Sequence, residues 1–79
     1  MLSLKVISPE RIEFDGEVES VLVPGTKGQF EILNDHAPII SSLAAGDIII
    51  GTREGKKSLH VSGGFVQVKR NEVNLCVEL

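Results

Sequence analysis

Two histidines, one cysteine and a scatter of carboxylates are the side chains of this 79-residue sequence that could do chemistry. His36 stands in "EILNDHAPII", residues 31–40, beside Asp35 and two positions before Pro38. A catalytic histidine needs a nucleophile or a substrate proton within hydrogen-bond reach and an orienting carboxylate behind it. Asp35 is adjacent in the chain, where side chains seldom face each other, and no motif supplies a nucleophile. His36 therefore reads first as a loop residue, on a path fixed by the extended geometry that Pro38 imposes on Ala37. Direct contact with a partner is the second reading, and catalysis or metal binding the third. A zinc site takes three or four ligands, whereas His36, His60 and Cys76 show no paired spacing. Nothing marks Cys76 as reactive. "GTKGQF" at 25–30 lacks the spacing and the Lys-Ser/Thr pair of a phosphate-binding loop, and no helix follows to offer its N-terminus. It reads as a hairpin turn.

The elements that position these residues are strands. Period two, which places alternate side chains on opposite faces, recurs in "VESVLV" (18–23), "QFEIL" (29–33), "SLHVS" (58–62) and "EVNLCVEL" (72–79). In the first of these, Val18, Ser20 and Leu22 are expected on one face and Glu19, Val21 and Val23 on the other. Turn signals separate the runs: "PGTKG", "NDHAP", "AGD", "REGK", "SGG" and "RN". Gly and Asn supply the positive φ that tight hairpins use, and Pro fixes φ where a turn begins. Gly25, Gly28, Pro38, Gly46, Gly63 and Gly64 are the expected turn and bend positions. "APIISSLAAGD" (37–47) has helical spacing as well, but "DIIIG" follows after a Gly turn, and the strand reading is preferred. The expected fold is all-β, a small sandwich of two roughly five-stranded sheets, forming one domain over residues 1–79. Its interior is expected from Leu4, Val6, Phe14, Val18, Leu22, Phe30, Ile32, Ile49, Leu59, Val61, Val66, Val68, Val73 and Leu75.

Composition narrows the function. With 42% hydrophobic residues the chain can bury one core, but a core of this size leaves little margin, and a partner is expected. One cysteine excludes an intrachain disulfide, so the chain reads as intracellular rather than as a stapled extracellular scaffold. No run of about 18 apolar residues or leader pattern is present. A net charge of −3, scattered basic residues and no Trp or Tyr argue against nucleic acid as a partner. The lack of Trp and Tyr also counts against a stand-alone ligand-binding sandwich, which would use aromatic platforms.

Taken in order, Gly25, Gly28, Phe30, "ILNDHAP", Gly46, "VSGGFVQV" and the closing "NEVNLCVEL" resemble the N-terminal β-sandwich domain of the epsilon subunit of F-type ATP synthase, called delta in mitochondria. "HAP" at 36–38 and "SGG" at 62–64 are the strongest pieces, and "FDGEVESVLVPGTKGQFEIL" matches the family's opening. The resemblance implies a non-catalytic subunit of the rotary central stalk, joining the gamma subunit to the c ring for proton-driven ATP synthesis. It implies no cofactor, metal or substrate of its own, and a peripheral position on the cytoplasmic face of a bacterial inner membrane, held there through the complex. The c ring side would comprise Gln29, Glu31, Asp35 and His36; the family often carries Glu where this chain has Gln29. Family members continue into a C-terminal helical hairpin that can inhibit ATP hydrolysis. Here the sequence ends at Leu79, so a short form without that inhibition is expected. Apolar residues on both strand faces need a cover, and Val21, Val23 and Leu33 are the expected gamma contact.

Overall fold

Nine strands and no helix make up the computed structural model, which describes Met1–Leu79. They are β1 (Leu2–Ile7), β2 (Ile12–Val18), β3 (Ser20–Gly25), β4 (Gly28–Ile32), β5 (Ile39–Leu43), β6 (Gly46–Thr52), β7 (Gly55–Val61), β8 (Gly63–Lys69) and β9 (Glu72–Glu78). The segment with helical spacing is the strand β5, as its pairing with β8 through Ile39–Val68 to Leu43–Gly64 shows.

Hydrogen bonding follows one path, β2-β1-β9-β8-β5-β3-β6-β7, with β4 on the free side of β3. The link between β5 and β3 is a single pair, Gly25 with Leu43. That corner divides the path into a five-stranded layer, β2-β1-β9-β8-β5, and a four-stranded layer, β4-β3-β6-β7. The expected all-β sandwich of two roughly five-stranded sheets is thus present as layers of five and four strands, joined at this corner. Gly25 also lets β4 come close on the other edge: a Cβ there would lie 2.7 Å from the Gly28 carbonyl oxygen and 2.9 Å from the Phe30 ring. All pairings are antiparallel except that of β1 with β9. At the far ends of the path Lys57 of β7 sets its ammonium 5.7 Å from the centroid of the Phe14 ring of β2, a cation–π contact that draws these strands together.

The core is a single cluster of Val, Leu and Ile from both layers, with Phe14, Phe30, Ile39 and Leu59 packed at its margin. Leu4, Val6, Val18, Ile32, Val61, Val66, Val68, Val73 and Leu75 are buried as the alternation requires. Leu22 and Ile49 are corrections: each is only half-buried, and they pair across β3 and β6 on the outer surface. Val21 and Val23 are corrections in the opposite sense, both fully buried. The cause is a phase break. "VESVLV" is not one strand; Glu19 is an exposed bend between β2 and β3, and one residue outside the ladder exchanges the two faces of everything that follows.

Candidate functional site

The candidate site is carried by β4 and the loop after it. Along β4, Phe30 and Ile32 point to the interior while Gln29 and Glu31 are exposed on the outer side, opposite Pro24 and Leu22 of β3. Leu33 continues this outer side and is about half exposed. The loop then turns. The His36 N–H donates to the Leu33 carbonyl at 3.2 Å, and Asp35 takes a left-handed φ of 64°. A non-glycine residue is uncommon there, Asp being among those that tolerate it.

Asp35 is held from outside the loop. Its N–H donates to Asn71 Oδ1 at 2.7 Å, and Asn71 Nδ2 donates to Asp35 Oδ1 at 3.4 Å. Asn71 lies in the β8–β9 turn, whose Arg70 also has a positive φ, of 57°. The Asn71 carbonyl in turn accepts the Ser3 N–H at 2.8 Å, joining the turn to the start of β1. His36 Nδ1 lies 2.7 Å from the Ala37 carbonyl, which can only accept, so that nitrogen carries the proton. No group of three His, Cys, Asp or Glu is placed to hold an ion. The arrangement can present a shaped, hydrogen-bonding loop to another molecule.

The expected site residues do not form one cluster. Gln29 sits at the hairpin end of β4 beside a groove lined by Leu22, Pro24, Ala44, Ala45 and Ile49. Asp35 and His36 lie past its other end. Val21 and Val23, expected to meet gamma, are fully inside and have no surface to offer. His60 is at the opposite end of the fold from His36, with Nδ1 2.7 Å from Asp47 Oδ1 across β6–β7. The "SGG" bend is a close approach: Gly64 has φ 143°, and a Cβ on it would collide with the Cys76 carbonyl oxygen and lie 2.9 Å from the Val77 Cα.

A second outer surface was missed by the sequence reading. Register aligns Ile12, Ile7, Cys76 and Phe65 across β2, β1, β9 and β8. Ile12 is 55% exposed and Phe65 47% exposed, and Ile40 on the neighbouring β5 is 74% exposed. Only pairing knowledge could have found this row, since its members come from four separate strands.

The family model of the ATP synthase delta/epsilon chain β-sandwich domain matches residues 1–79. The chain belongs to this family. It is 44% identical over 77 residues to the ATP synthase epsilon chain of Leptospira borgpetersenii serovar Hardjo-bovis, covering 98% of this chain and 61% of that protein. The ATP synthase epsilon chain of Gloeothece citriformis is 40% identical over 78 residues, covering 96% of this chain and 55% of the relative. The chain thus spans little more than half the length of these family members. A chain of the Euglena gracilis mitochondrial ATP synthase structure with OSCP, F1 and c-ring superposes with a TM-score of 0.90 at 22% identity, over 96% of this chain and 49% of that one. A chain of the Tetrahymena thermophila mitochondrial ATP synthase central stalk and c-ring gives 0.83 at 17% identity, over 99% and 63%. These two likenesses show the fold.

Proposed function

We propose that this chain is a non-catalytic coupling subunit of the rotary central stalk of an F-type ATP synthase, joining the gamma subunit to the c ring. The observation that carries the reading is the family match over residues 1–79. The names of its relatives support it, and so do the assemblies in which the matching folds occur. The 79 residues act as one unit, peripheral to the membrane through the complex, on the cytoplasmic face of a bacterial inner membrane. The subunit transmits torque by being stiff; close-packed interiors deform little.

Gln29, Glu31, Asp35 and His36 form the c ring side, with the loop presenting His36. The gamma side is the row of Ile7, Ile12 and Phe65 with Ile40, because it gathers four of the seven exposed large hydrophobic residues and exposed apolar groups of this kind mark interfaces. Leu33 is the point where the outer side of β4 meets the c ring loop, and no part of the contact falls to Val21 or Val23.

Titration of the purified chain into recombinant gamma subunit by calorimetry tests this reading. One-to-one association is expected, weakened by at least about tenfold in Phe65→Asp, the size of loss that removing one well-packed aromatic contact causes. No association at micromolar concentration would overturn the stalk assignment, and association unaffected by Phe65→Asp would move gamma to another face.

A further inference from the structure

We propose that Asn71 is the positioning residue of the partner-binding loop: it holds Asp35 in the left-handed conformation that presents His36. The inference rests on the reading of that loop as an interface. Six residues, Leu33–Pro38, cross from the four-stranded to the five-stranded layer, and hydrogen bonds to Asn71 are the ones that reach them from another element. The others are local, from His36 N–H to the Leu33 carbonyl, from His36 Nδ1 to the Ala37 carbonyl, and from Asn34 Nδ2 to Asp35 Oδ2 at 3.5 Å.

Three features make the contact a latch rather than an incidental bond. Asp35 has φ 64°, a conformation that persists where its surroundings over-determine it. The Asp35 N–H, which the turn leaves without a backbone acceptor, finds one in Asn71 Oδ1. Asn71 is itself fixed, since its carbonyl accepts the Ser3 N–H and its turn contains a second left-handed residue, Arg70. The loop is thereby tied to β1, β8 and β9, strands of the stiff five-stranded layer. A loop already in its bound shape loses less freedom on association, which raises affinity without a new contact. Asn71 contributes without touching the partner.

The test uses the full chain bound to gamma and presented to c rings in lipid nanodiscs, with hydrogen exchange of the Asp35 amide read in parallel. Asn71→Ala is expected to speed exchange at Asp35 by about tenfold while β9 amides keep their protection. It should also weaken association with the c ring by about fivefold, the loss of one net hydrogen bond. The exchanged pair, Asp35→Asn with Asn71→Asp, keeps an acceptor at position 71 for the residue-35 N–H and should restore slow exchange there; it is read by exchange alone, because Asp35 belongs to the c ring side. His36→Ala separates the two levels of the argument. If His36→Ala weakens association and Asn71→Ala does not, the interface stands and the latch is overturned. If both variants bind as the unaltered chain does, the interface reading fails and the positioning role falls with it. Fast exchange at residue 35 that the exchanged pair does not reverse also overturns the latch, because it marks general damage to the turn.

Discussion

Glu13 and Arg11 shift each other's titration. Glu13 Oε2 accepts from Arg11 Nε at 2.9 Å and lies 3.0 Å from the Ser8 hydroxyl, within the turn that joins β1 to β2. The hydrogen bond from Arg11 is the main cause that holds the Glu13 carboxyl below the ordinary range; the Ser8 hydrogen bond and the guanidinium charge act the same way, against partial burial. Arg11 is pushed up in return, chiefly by its hydrogen bond to Glu13, and stays charged throughout the working range. A carboxyl lowered in the folded state contributes stability above its unfolded pKa of about 4.3, and that contribution is lost as pH falls through the lower folded value. Glu13→Gln should therefore reduce the melting temperature slightly at pH 7 and leave it unchanged near pH 2. Equal differences at both pH values would mean that the carboxylate charge is not what the turn uses. The effect is small because Arg11 is largely exposed, and exposed pairs are screened by water.

At the scale of elements, β8 shows what the adjacent glycines of "SGG" do. Gly64 is paired on one side with Leu43 of β5 and on the other with Val77 of β9. Neither neighbour can retreat, because Leu43 and Val77 are both buried in the core. Gly64→Ala combines a collision against backbone with a φ of 143° that L residues rarely adopt. A loss of about 3 kcal/mol is expected, read as a lower denaturant midpoint. Gly63→Ala meets nothing nearer than the Leu43 carbonyl at 3.7 Å and should cost far less. Similar losses for the two would show that β8 is not clamped at Gly64. β3 offers a parallel contrast. Val23→Asp puts a charge into a fully buried site, at a cost on the order of 4 kcal/mol, comparable with the whole stability of a small domain. It should unfold the chain, whereas Leu22→Asp, one residue along and half-buried on the outer side, should fold; circular dichroism distinguishes them.

For the whole molecule, the two layers divide the labour. The five-stranded layer carries the exposed apolar row, and the four-stranded layer carries β4 and sends out the loop that ends near Asn71. Cys76, half-exposed between Ile7 and Phe65, is a built-in reporter of that row. Gamma binding should slow its reaction with a maleimide by at least about tenfold, since a thiol inside a packed interface opens only when the interface does. Unchanged labelling in a gamma complex shown to be intact would take gamma off this face.

The sequence by itself determined that the chain is built of short strands, that most of its inward Val and Leu positions follow period two, and that "HAP" and "SGG" mark a loop and a backbone crowding point. Local spacing and turn chemistry suffice for those, because each depends on residues a few positions apart. The tertiary structure decided the rest. A one-residue bend at Glu19 sent Val21 and Val23 inward and Leu22 outward, a change of phase that the unbroken alternation of "VESVLV" conceals. The fold also brought Asn71 to Asp35, 36 residues apart, and set Ile12, Ile7, Cys76 and Phe65 in one row. Those neighbours are fixed by strand order and register, which depend on how distant segments pack and not on any local pattern.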